Sequence, residues 1–187
     1  MLKLAKTIRT LTVPSVMAAV FILILFLNDY LTPAASLEAV FFLSILPVLA
    51  YPICRFIPVL HRGGRNTERK MAVILSVAGY LLGLVLTLIL HGTPMELLIY
   101  STYLITGALI AVFSYVFHIK SSGHASATAG PIAVLTLWIS PWFLTGLLVL
   151  AAIFWSSITL KRHTLPELLL GSACSICSAA LLYFLII

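Results

Sequence analysis

The chain has 187 residues, of which 62% are hydrophobic and only 9% charged, with a formal net charge of +6. A soluble domain carries roughly 45–50% apolar and about 25% charged residues, so this composition excludes an ordinary soluble enzyme or nucleic-acid binder. It predicts an integral membrane protein: an all-α, polytopic transmembrane helical bundle, a single domain over residues 1–187 with about six to seven spans of about 20 apolar residues each.

The basic residues Lys3, Lys6 and Arg9 precede an apolar run over 11–27 that reads as a retained first helix, since no small-residue cleavage site follows it. A second span is expected over 37–60, interrupted by Pro47 and Pro52, and the strongly basic loop 61–70 follows. Third and fourth spans, 71–90 and 97–117, turn at His91-Gly92-Thr93-Pro94; Gly79 and Gly83, four apart, suit close helix packing. The apolar run 125–159 is too long for one span and divides at Ser140-Pro141 into two, the first short and kinked at Gly130-Pro131. The last span begins near Thr164. Seven spans result, or six if the first, or one of the pair within 125–159, is only partly inserted. Cys54, Cys174 and Cys177 lie inside apolar runs and read as packing residues.

On this count all eleven Lys and Arg residues share one side, with Asp29, Glu38 and Glu96 on the other. The positive-inside rule makes the basic side cytoplasmic. Three polar steps converge there: the loop 61–70, the step 118–125 and the turn 161–167.

The middle step, His118-Ile119-Lys120-Ser121-Ser122-Gly123-His124-Ala125, puts polar groups where a helix should begin, and such groups are costly beside hydrocarbon unless paired or hydrated. Gly123 would let a ligand approach the backbone, the opening amides of a helix would point at a phosphate, Ser122 offers a hydroxyl and Lys120 a charge. The alternative is a plain helix start capped by Ser121 or Ser122, with His124 in the headgroup layer. With Arg62, Arg65, Arg69, Lys70, Lys161 and Arg162 on the same side, cations dominate and the ligand should be an anion. Two histidines, His124 and His163, suit phosphoryl transfer, one as nucleophile and the other as acid and base. In His163-x-x-x-Glu167 both side chains share a helical face, so the carboxylate can hold one ring nitrogen and leave the other free to attack. Thr164-x-x-Glu167 is equally a capping box.

These residues resemble the type 2 phosphatidic acid phosphatases, the lipid phosphate phosphatases, in the manner of a small, divergent bacterial member. That family's pattern is a Lys or Arg, six residues, then Arg-Pro; later Pro-Ser-Gly-His; later Ser-Arg, five residues, His, three residues and Asp. Arg62 and Arg69 have the first spacing, Ser122-Gly123-His124 stands as the second, and Ser156, His163 and Glu167 resemble the third. Lys70, Ser121, Glu167 and Ser157 replace the first proline, the second proline, the aspartate and the third-pattern arginine. The resemblance implies hydrolysis of a lipid phosphomonoester or diphosphate through a phosphohistidine on His163, oriented by Glu167. His124 would serve as general acid and then base, while Arg62, Arg69, Ser122 and Gly123 cradle the phosphate. Lys120 is the proposed substitute for the missing arginine. The scheme requires no metal or cofactor, and its partners are the lipid bilayer and a lipid phosphate, not nucleic acid. It implies a bacterial cell membrane, and a cytoplasmic site suits phosphatidate or phosphatidylglycerol phosphate. The alternatives are a phosphotransferase on the same scaffold, and a lipid-binding or transport protein without turnover.

Overall fold

The computed structural model describes residues 1–186, apart from the side chain of Val59. It is all-α, and no strand occurs among the described residues. Eight helices follow in order: α1, Leu2–Leu11; α2, Pro14–Leu27; α3, Pro33–Phe56; α4, Gly64–Ile89; α5, Pro94–Tyr115; α6, Gly123–Trp138; α7, Pro141–Thr159; and α8, Leu165–Ile186. A single turn, Pro58–His61, lies between α3 and α4.

Proline opens several of these helices, where its missing N–H costs nothing and its fixed φ suits the first turn. Pro33 follows Thr32, whose hydroxyl accepts from the Ala35 N–H, and Pro141 follows Ser140, whose hydroxyl accepts from the Trp142 N–H. Helix ends use the left-handed region at residues other than glycine: Asp29, His91, His118 and Lys161. After α7 the Lys161 N–H donates to the Ile158 carbonyl and the Arg162 N–H to that of Ser157, a Schellman stop.

Five helices, α3, α4, α5, α7 and α8, are long and apolar enough to cross a membrane, and α1 with α2 forms a sixth candidate bent by 54°. Within the five, only 17 to 39% of the most apolar stretch is buried by protein, so most of that apolar surface faces outward. An apolar surface of this extent is at home in lipid, and the chain is an integral membrane protein.

One expectation is corrected. The first span does not run straight through 11–27: Pro14 disfavours helical geometry at Val13 and separates α1 from α2. Of the two expected counts, seven and six, the structure fits about six: α6, the short member of the pair within 125–159, has 16 residues, below the length that spans a bilayer. Helix α6 continues through Pro131 to Trp138.

The chain divides into two compact units, Ala18–Tyr100 and the pair of segments Met1–Met17 with Ser101–Ile187. In the first, α3 contains a π turn at Phe41–Ile45. Gly79 of α4 faces the Phe42 backbone there and Gly83 faces the Tyr100 ring, so both glycines serve close packing. The Tyr100 hydroxyl reaches Glu38 at 3.1 Å.

In the second unit α6 and α8 pack along their whole length. Ser122 meets Glu167 and Gly171, Gly130 meets Ser175, and Trp138 stacks edge-on against Tyr183 at 5.7 Å. Residue numbers rise together in all three pairs, so the helices run parallel, with α7 returning between them. Ala125 and Ala129 of α6, Leu150 of α7 and Leu168 of α8 form one buried cluster, with Phe154 and Ile132 against it. Helix α1 packs on α7.

Candidate functional site

Parallel packing puts the N-termini of α6 and α8 at one end of this unit, together with the C-terminal turn of α7. Three polar residues flank the buried cluster: His124 precedes Ala125, Glu167 precedes Leu168, and the turn after α7 carries His163. A backbone hydrogen bond, Ser122 N–H to the Glu167 carbonyl at 3.1 Å, ties the two helix starts together. Gly171 makes this possible, because a Cβ there would lie 3.1 Å from both the nitrogen and the carbonyl carbon of Ser122.

His163 Nδ1 stands 2.7 Å from Glu167 Oε2, and the side chain is only 11% exposed. The same carboxylate oxygen accepts the Thr164 N–H at 3.4 Å. Capping and orientation are therefore one arrangement rather than rivals. With Nδ1 held, Nε2 is the ring atom available for attack. Burial lowers the His163 pKa, the bond to Glu167 works against that, and the charges of Lys120 and Arg9 lower it further; the balance lies below 6.5. His124, at the second position of α6, is lowered to about 4 by burial and by the charges of Arg9 and His163. Both rings are thus neutral near pH 7.

Ser122 is fully buried and caps α6, its Oγ accepting the Ala125 N–H at 3.4 Å. The cap reading of this serine therefore holds, and its O–H proton is what it can offer a ligand. A Cβ on Gly123 would meet nothing within 4 Å, so open space lies beside that backbone. The neighbouring Ser121 Oγ is shielded from solvent and makes no hydrogen bond among the described residues. Lys120 Nζ donates to the Arg162 carbonyl at 3.1 Å, pinning the 118–122 segment to the end of α7, and its charge acts on His163.

No protein-family model, curated protein or solved structure matches this chain.

Of the residues singled out in sequence, Lys120, Ser122, Gly123, His124, His163 and Glu167 all belong to this one unit, at one end of it. Arg62 and Arg69 belong to the other unit, where both are exposed, Arg62 after the turn Pro58–His61 and Arg69 in the first turns of α4. Among the described residues no three His, Cys, Asp or Glu side chains gather as a metal-holding set.

Sequence reasoning overlooked Arg9. Its Nη1 donates to Ser157 Oγ at 3.2 Å, across 148 residues, and its charge acts on both histidines. The signal was present in weak form. Ala5 of α1 is fully buried and Thr12, its C-cap, nearly so, which marks a face on which Arg9 also lies, whereas Lys3 and Lys6 are exposed.

Proposed function

We propose that this protein is a membrane lipid phosphatase that transfers a phosphoryl group from a lipid phosphomonoester or diphosphate to His163 and then to water. The observation that carries the reading is the 2.7 Å pair of His163 Nδ1 and Glu167 Oε2 beside a second, neutral histidine at a helix N-terminus. A histidine held at one ring nitrogen by a carboxylate is a tautomer fixed for nucleophilic use of the other. Two parallel helix starts favour an anion between them.

In the first step a bond forms between His163 Nε2 and phosphorus while the phosphorus–oxygen bond to the lipid breaks. The leaving oxygen takes a proton from His124. Because His124 is neutral in the empty site, that proton arrives with the substrate, whose phosphate monoanion passes it to the imidazole. The phosphorylated His163 ring keeps its Nδ1 proton, and Glu167 compensates the charge. In the second step His124 takes a proton from water as the water oxygen attacks phosphorus. The nitrogen–phosphorus bond breaks, phosphate departs, and His163 is regenerated. Lys120, Ser122 and the Gly123 amide, all in the unit that carries His163, are the proposed phosphate contacts. A site at the basic, cytoplasmic side would draw substrate from the adjoining leaflet.

The test is phosphate release by the purified protein in detergent, with a chelator present, from phosphatidate, phosphatidylglycerol phosphate and an isoprenyl diphosphate. Turnover that His163→Ala abolishes, with a phosphorylated histidine trapped from wild type by acid-free quenching, is the expected result. Release that His163→Ala leaves intact would sink the mechanism.

A further inference from the structure

We infer that Arg9, supplied by α1, is a phosphate-binding residue of this site, its guanidinium carried to the end of α7 by the hydrogen bond to Ser157 Oγ. The inference rests on the phosphoryl-transfer reading for its ligand but not for its geometry. Arg9 lies on the face of α1 marked by the buried Ala5 and the C-cap Thr12, and α1 packs on α7. Ser157 is itself completely buried in the last turn of α7. A hydroxyl there is neutral and receives one of the five N–H donors of a guanidinium, so it positions the group without cancelling its charge.

The neighbourhood explains what that charge is for. His163 follows the Schellman stop of α7 by one residue, and the charge of Arg9 reaches both His163 and His124. A cation beside two histidines works against protonation of either, and a substrate phosphate between them would reverse the field. Arginine suits this use better than lysine because its planar fork engages two phosphate oxygens at once. Ser157 is also the position at which the sequence lacks the arginine of the pattern it resembles, so α1 delivers from another helix a charge that α7 does not carry. Lys120, the substitute expected from sequence, spends a donor on the Arg162 carbonyl and stays exposed.

The experiment compares wild type, Arg9→Lys, Arg9→Ala and the double variant Arg9→Ala/Ser157→Arg as full-length protein in detergent. Binding of inorganic phosphate is measured by titration calorimetry, and kcat and KM are measured with phosphatidate in mixed micelles. Loss of a charged hydrogen-bonding partner should weaken phosphate binding about 10- to 100-fold in Arg9→Ala. Arg9→Lys should fall between, and the double variant should recover most of the affinity, because the new guanidinium rises from Ser157 into the space the old one left. A role in packing α1 alone would lower the melting temperature without this pattern of loss and recovery. Arg9→Ala binding phosphate as wild type does would overturn the inference, as would a folded double variant that recovers nothing. If Arg9→Ala fails to fold, Arg9→Lys decides: unchanged affinity and kcat overturn the idea, weakened affinity supports it. Wild type that binds phosphate through Arg9 but hydrolyses no lipid phosphate would refute the phosphatase reading and leave the inference standing. Wild type that binds no phosphate at millimolar concentration would refute the inference whatever its turnover.

Discussion

Gly171 holds the site together from one turn below it, and Gly171→Ala tests whether the approach of α6 to α8 sets the chemistry. A Cβ at this position would sit 3.1 Å from both the nitrogen and the carbonyl carbon of Ser122, and nearer still to its oxygen. These are backbone atoms, so no side chain can swing aside. To restore ordinary contact the start of α6 must move away by about 1 Å, and a misplacement of that size in a reacting constellation costs on the order of 100-fold in rate. Overpacking itself costs about 1–3 kcal/mol, offset by about 0.8–1 kcal/mol from alanine's better helix propensity. The control is Gly130→Ala in the same interface. There the added Cβ meets the Ser175 Cβ at 3.1 Å, and seven residues, or roughly 10 Å of helix, separate it from the site. Phosphatidate hydrolysis and the melting temperature would be followed for both. We expect a loss of kcat of about two orders of magnitude for Gly171→Ala and near wild-type kcat for Gly130→Ala, even where their stabilities match. Equal kcat in the two variants would refute the idea that this approach positions His124 against His163.

Two further outcomes follow from the histidines. His124 has a folded-state pKa of about 4 against about 6.5 unfolded, so as pH falls through 6.5 the unfolded chain takes up the proton first; stability is full above about pH 6.5 and declines toward pH 4, by at most about 3 kcal/mol. Melting temperatures at about pH 7 and about pH 5 should therefore differ more for wild type than for His124→Asn, and an identical difference would contradict the burial argument. Glu167→Gln keeps an acceptor for the Thr164 N–H but cannot compensate a charged His163 ring. It should lower kcat by about 100-fold or more, by analogy with loss of the orienting carboxylate in other triads, with little change in melting temperature. An unchanged kcat would reduce Glu167 to a cap.

The helices were legible because apolar runs and proline starts are local signals: Pro33, Pro94 and Pro141 open elements that composition alone located to within a few residues. The pair His163 and Glu167 was legible for the same reason, since a spacing of four fixes a shared face. What sequence did not show depends on distant partners. Pro14 could either kink one helix or separate two, and the packing of α1 against α7 goes with separation. Gly130-Pro131 carries a local breaker signal, yet α6 persists, with Gly130 seated on Ser175 and Pro131 buried. Arg9 looked like a topology charge beside Lys3 and Lys6, and only the face it shares with Ala5 and Thr12 distinguishes it.

On the proposed phosphatase reading, the arrangement also gives a physical reason why a carboxylate can stand beside a bound anion. Two helix N-termini carry partial positive charge, worth about half an elementary charge each, and the C-terminus of α7 carries the opposite. Lys120 lies on that C-terminus through the Arg162 carbonyl, and Arg9 reaches it at Ser157, so its negative end is answered by two full cations. Glu167 adds one negative charge, but its Oε2 is engaged by His163 Nδ1 and the Thr164 N–H, both on its own side of the site. A carboxylate committed to the nucleophile strengthens the ring as it becomes positive, whereas one bonded to the phosphate-binding cations would compete with substrate. Replacing Thr164 and Glu167 with any other helix cap would preserve α8 and lose that distinction. On the phosphatase reading the cap and the proposed catalytic pair depend on a single oxygen atom, Glu167 Oε2.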